Sequence, residues 1–167
     1  MKGVLICGGK GERLFPITKY INKHLLPIYN KPMFFYPLSI LLYSGCKEIF
    51  IVGNKEDFTF FKKSLRGENI KGCKFHFIVQ KKPDGISSAI SKVSRFFSNN
   101  EKGIFILGDN FFYGNDLIST IIKAYRNEKC SIFLSHAKDP WNYGTIKTSK
   151  HKLEFFEKKK TSKGSVI

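Results

Sequence analysis

The run Gly3-Val4-Leu5-Ile6-Cys7-Gly8-Gly9-Lys10-Gly11-Glu12-Arg13-Leu14-Phe15-Pro16 decides how the rest of the chain is read. Its apolar start, Val4 to Cys7, predicts a buried strand. The strand empties into Gly8, Gly9 and Gly11. Glycine lets the backbone take positive φ and come close to a ligand. Successive free N–H groups in such a turn form a concave anion site. Lys10 and Arg13 add positive charge beside it. The stretch therefore predicts a phosphate-binding loop after a first strand. Two familiar loops are excluded: the dinucleotide fingerprint would need a further glycine, and a P-loop would need Gly-Lys-Ser/Thr.

Working outward, apolar runs alternate with helix-like stretches, which predicts βα units and an α/β fold with a mostly parallel sheet. Helices are expected over residues 32–44, 55–65 and 116–125, with another beginning at Asp84 and carrying Ile86, Ala89, Ile90, Val93 and Phe97 on one side. Strands are expected over residues 48–53, 74–79, 103–107 and 131–135. From Tyr143 the pattern changes to two short strands, residues 144–147 and 152–156. The lysine-rich tail from Lys158 to Ile167 reads as loose. Ligands of such sheets sit beyond the carboxyl ends of the strands. The glycine loop falls there, and so does Asp109, which follows Ile104-Phe105-Ile106-Leu107-Gly108.

Composition narrows the functions. The 167 residues are 42% hydrophobic and 25% charged, as expected of one soluble globular domain. The longest apolar stretch, Met33 to Tyr43, is broken by Pro37 and too short to span a bilayer. With no leader-like opening, the expectation is a cytoplasmic protein without membrane contact. Four widely spaced cysteines predict buried reduced thiols rather than a zinc site or disulfide framework. The net charge of +16 first suggests nucleic acid. The basic residues are spread along the chain, however, and a polyanionic small ligand also favours a positive field. Nucleic acid is therefore not the expected partner.

Ile6 to Pro16, followed by Lys23-His24-Leu25-Leu26-Pro27, resembles the signature of the sugar-1-phosphate nucleotidyltransferases, and in particular their thymidylyltransferase branch. The resemblance implies a three-layer Rossmann-like fold, dTTP and glucose 1-phosphate as substrates, and Mg²⁺ as cofactor. Leu107-Gly108-Asp109-Asn110-Phe111-Phe112-Tyr113-Gly114 is similar to the metal-binding segment, with Asp109 as the metal ligand. Gln80-Lys81-Lys82-Pro83-Asp84-Gly85 is similar to the base-reading segment. The resemblance thus assigns Gly8, Gly9, Gly11, Glu12, Arg13, Gln80, Pro83, Gly85 and Asp109 to the nucleotide, and Arg13, Lys23 and Asp109 to catalysis. Asp139-Pro140-Trp141-Asn142-Tyr143-Gly144, with Glu157-Lys158, is similar to the sugar-binding part. It assigns Asn110, Gly144, Glu157 and Lys158 to the sugar phosphate. His24 stands where a glutamine is common.

The resemblance covers residues 1–158, read as one nucleotidyltransferase domain, with 159–167 as a basic tail. Family members continue with more of the sugar-binding sheet and a second metal-binding aspartate, so the chain reads as a C-terminally truncated relative. Two further alternatives stand beside a working enzyme: a nucleotide-binding relative without turnover, or an enzyme using UTP. A basic nucleic-acid-binding module is the third. The sheet edge left by the missing strands predicts a homo-oligomer or a completing chain.

Overall fold

A computed structural model describes residues 1–9, 11–68, 70–80, 85–127, 129–149, 152–157 and 165–166. In chain order the strands are β1 (Lys2–Ile6), β2 (Pro27–Ile28), β3 (Lys31–Pro32), β4 (Glu48–Gly53), β5 (Lys74–Val79), β6 (Gly103–Leu107), β7 (Gly144–Ser149), β8 (Lys152–Glu157) and β9 (Ser165–Val166). The α-helices are α1 (Phe35–Tyr43), α2 (Phe58–Gly67), α3 (Gly85–Ser94) and α4 (Leu117–Arg126). Two compact units result, Met1–Arg126 and Asn127–Ile167.

The first unit is built on a parallel sheet of order β5-β4-β1-β6. Its central strands are apolar throughout because both faces are covered. Alternate residues sort to the two faces, as the pleat requires. Leu5, Cys7, Ile49 and Ile51 join Phe34, Leu38 and Leu41 of the α1 segment, with Phe58, Phe61 and Leu65 of α2. Val4, Ile6, Phe50 and Val52 join Ala89 and Val93 of α3. The layers are thus helix, sheet, helix, the α/β arrangement expected. Phe34 and Phe61 meet edge to face, with centroids 4.8 Å apart and both rings buried.

In the strand order, β1 lies between β4, which follows it in the chain, and β6, which comes from much later. The order reverses there, and in open α/β sheets the crevice at such a reversal receives the ligand. Ile6 pairs with Leu107 at the carboxyl ends of β1 and β6. The two chains leaving that crevice are the glycine loop and the Asp109 turn.

In the second unit β7 pairs antiparallel with β8 and with β9. The two strands expected near 144–147 and 152–156 are therefore present, and slightly longer. Ser165–Val166 contributes β9, so that part of the tail is paired rather than loose. Three further expectations are corrected. Residues 131–134 carry no strand, and Ile132, Phe133 and Leu134 are exposed. Their apolar run has strand character, but a strand needs a neighbour for its N–H and C=O groups, and in the expected stretch 131–135 a bridge forms at Ser135 alone. On α3, Ala89 and Val93 are buried whereas Ile86 and Ile90 are exposed, because the helix lays only one narrow stripe on the sheet. Cys7 and Cys46 are buried, Cys73 is half-buried and Cys130 is exposed. All four are free thiols.

Candidate active site

The loop after β1 is held by its own backbone and by close approach. Cys7 N–H donates to Val52 O at 2.7 Å, extending the sheet by one residue. A Cβ at Gly8 would stand 2.5 Å from Gln80 Oε1, so only glycine lets the glutamine amide lie on the loop. Gly9 has φ of 108°, and Gly11 φ of 64°. Gly11 is left-handed where it opens the turn Glu12–Leu14, and a Cβ there would stand 2.8 Å from Thr18 Cγ2. Thr18 Oγ1 donates to Gly11 O at 2.9 Å and closes the loop. Glu12 and Arg13 follow on this turn, both exposed. Lys10 lies outside the described residues.

Lys23 begins a single 3₁₀ turn, Lys23–Leu25, and its Nζ donates to Asp109 Oδ2 at 2.5 Å. The two side chains are 21% and 34% exposed, so the pair is only partly shielded from solvent. Burial resists ionisation of Asp109, but the Lys23 ammonium outweighs it and holds the carboxyl below its ordinary range. The carboxylate is therefore charged at neutral pH. Asp109 follows Gly108, whose N–H donates to Ile6 O at 2.8 Å, and Asn110 N–H closes the turn on Leu107 O at 3.2 Å. Asn110 itself is exposed.

Beneath this pair lies His24, 1% exposed. Burial, then the neighbouring Lys23 charge, lowers its pKa to about 4 despite the opposing pull of Asp109. It is neutral at pH 7. Cys7 is fully buried beside it, and desolvation first, then Asp109, raises its thiol well above the usual value. That sulfur packs; it does not ionise.

Gln80 is 3% exposed and closes the other wall. Its Nε2 donates to Gly85 O at 3.2 Å and its backbone N–H to Gly53 O at 2.8 Å. Gly85, with φ of 87°, starts α3. Pro83 lies outside the described residues. Gly8, Gln80 and Gly85 are thus brought together, as are Gly11, Lys23 and Asp109.

The remaining candidates lie in the second unit. Gly144 and Glu157 are directly opposed across the β7–β8 pair. Lys158 lies outside the described residues. Reading the sequence missed Asn22 and Asp57. Asn22 directly precedes a short turn and is a residue type that caps helices, which was its one legible signal.

A single carboxylate suits a hard cation that takes its other oxygens from phosphates and water. Among the described residues no group of three or more His, Cys, Asp or Glu side chains could hold a metal by itself.

Residues 2–167 match the family described as nucleotidyl transferase, and the chain belongs to that family. A glucose-1-phosphate thymidylyltransferase of Neisseria meningitidis is 36% identical over 147 residues, 87% of this chain and 51% of that protein. One from Xanthomonas campestris pv. campestris is 37% identical over 152 residues, 90% of this chain and 51% of that protein. The chain thus spans about half the length of the curated relatives it matches. A Bacillus anthracis crystal structure assigned to glucose-1-phosphate thymidylyltransferase superposes with a TM-score of 0.88 at 31% identity, covering 100% of this chain and 68% of that one. A UDP-glucose pyrophosphorylase complexed with UDP-glucose gives a TM-score of 0.77 at 25% identity, over 95% of this chain and 69% of that one.

Proposed function

We propose that this chain carries the nucleotide half of a nucleotidyltransferase that moves a thymidylyl group from dTTP to glucose 1-phosphate, releasing pyrophosphate. The observation that carries the reading is the Lys23–Asp109 pair at the sheet's reversal point, one strand away from the glycine loop. A phosphate oxygen of the sugar phosphate attacks the α-phosphorus, and the bond from that phosphorus to the bridging oxygen breaks. The electron pair leaves with pyrophosphate. The nucleophile already carries charge, so no protein base or covalent intermediate is needed. What the protein must supply is alignment and compensation of the repulsion between two anions.

Backbone N–H groups of Gly8, Gly9 and Gly11 cradle the β- and γ-phosphates, and Arg13 holds the leaving pyrophosphate. Lys23 turns part of its charge from Asp109 to the α-phosphate. Gln80 offers one donor and one acceptor to the base edge, over Pro83 and Gly85. Asn110, Gly144, Glu157 and Lys158 receive the sugar phosphate. Mg²⁺ held by Asp109 would neutralise phosphate charge and help align the triphosphate. The enzyme works as a soluble cytoplasmic protein, as a homo-oligomer or with a completing chain.

A second reading, UTP in place of dTTP, draws on the likeness to the UDP-glucose enzyme. The deciding assay is pyrophosphate release from Mg²⁺, glucose 1-phosphate and either dTTP or UTP, with Asp109→Asn as control. Faster release with dTTP that drops by roughly 100-fold in the variant is expected, since Asp109 aligns Lys23 and the triphosphate and a misplacement of about 1 Å costs about that much. Triphosphate binding without release would reduce the chain to a nucleotide-binding relative. Preference for UTP would move it to the other branch.

A further inference from the structure

We propose that Asn22, His24 and Asp57 form a hydrogen-bonded relay, part-buried and centred on the buried His24, that positions Lys23 against Asp109. Asn22 is the hub. Its Oδ1 accepts the backbone N–H of His24 at 2.9 Å and lies 2.8 Å from His24 Nδ1. Its Nδ2 donates to Asp57 Oδ2 at 2.7 Å and reaches Cys7 O at 3.5 Å. Asp57 accepts a second bond from Asn54 Nδ2 at 3.1 Å.

These contacts engage both polar atoms of the hub's side chain. A carboxylate only accepts, so the Asn22 NH₂ faces Asp57 and its carbonyl oxygen faces the imidazole. An amide oxygen also only accepts, so the proton of neutral His24 sits on Nδ1. The 3₁₀ turn that carries Lys23 is therefore tied to the turn after β4, Lys55–Asp57, and to the end of β1.

The imidazole ties in the third chain. A Cβ built on Gly108 would lie 2.6 Å from Cys7 Sγ and 2.7 Å from His24 Cδ2. The ring thus fills the space over the residue just before Asp109. One neutral side chain touches the turn that bears the carboxylate and is held by the residue that caps the turn bearing the ammonium. The separation of Lys23 and Asp109 is set through it.

The kinetic consequence rests on the nucleotidyl-transfer reading, but the geometric one does not. Long-range ¹⁵N–¹H correlation on the full chain should show His24 as the Nδ1–H tautomer, and the Lys23 ammonium protons protected from exchange by Asp109. In Asn22→Ala and Asp57→Ala both signatures should be lost while circular dichroism stays native. Asp57→Asn keeps an oxygen that can accept from Asn22 and should recover them. In the pyrophosphate-release assay the two alanine variants should lower kcat about tenfold with KM for the triphosphate little changed. A silent wild type that still shows both signatures would defeat the reaction and leave the relay standing. An Nε2–H tautomer in the wild type, or Lys23 protection unaltered in Asn22→Ala and Asp57→Ala, would overturn the relay. If both alanine variants fail to fold, Asp57→Asn decides: loss of the Nδ1–H signal there contradicts the proposal.

Discussion

At the scale of single residues, close packing around two glycines and one neutral histidine shapes the candidate site. Gly8→Ala would drive Gln80 from its place, since the new methyl meets Oε1 at 2.5 Å. The expected result is weaker triphosphate binding with folding largely retained, read by calorimetric titration. Gly108→Ala is harsher. Its methyl meets a sulfur, a buried ring and, at 3.1 Å, the carbonyl of Ile6. Overpacking of this kind costs roughly 1–3 kcal/mol, visible as a lower urea midpoint. His24 makes a pH prediction. It titrates near 6.5 when unfolded and about 4 when folded. Its contribution is fully present above pH 6.5 and is lost as the pH falls from there to 4, because the unfolded chain takes the proton first. The loss should reach on the order of 3 kcal/mol at pH 4, and His24→Gln should flatten that part of the stability curve.

At the scale of elements, stability depends on the sheet's two covered faces. Phe61→Ala would remove a ring at 0% exposure from between α2 and the Phe34 ring. A loss of about 3–5 kcal/mol is expected in equilibrium unfolding. Much of this level was legible. Continuous apolar runs at β1 and β4 showed strands buried on both faces, whereas the equally apolar β6 leaves Phe105 exposed at the end of the strand order; the glycines and Asp109 marked the carboxyl ends of β1 and β6. What was not legible has physical causes. The stretch 131–135 has a strand's composition, yet only Ser135 forms a bridge, because pairing depends on a neighbour that composition cannot supply. Ile86 and Ile90 have helical spacing, but spacing does not say how wide a stripe the sheet will cover. The Asn22–Asp57 bond joins residues 35 apart, each unremarkable on its own. Only the meeting of β1 and β4 brings them together.

At the scale of the molecule, the net charge of +16 sets up a field that attracts any polyphosphate. Triphosphate affinity should fall as salt rises, since the screening length shrinks from roughly 10 Å at 0.1 M to 3 Å at 1 M. That dependence alone does not locate the site, because lysines are spread over the whole chain. No helix among the described residues is long and apolar enough to cross a membrane. On the proposed function, the carboxyl ends of β1 and β6 would form the triphosphate site. The most direct measurement is a ¹H–¹⁵N titration of the full chain with dTTP and Mg²⁺. The account predicts shifts concentrated at Gly8, Gly9, Gly11, Arg13, Lys23, Gln80 and Asp109, absent in Asp109→Asn at the same concentration. Shifts centred on the lysines of α2, or spread evenly over the basic surface, would contradict it.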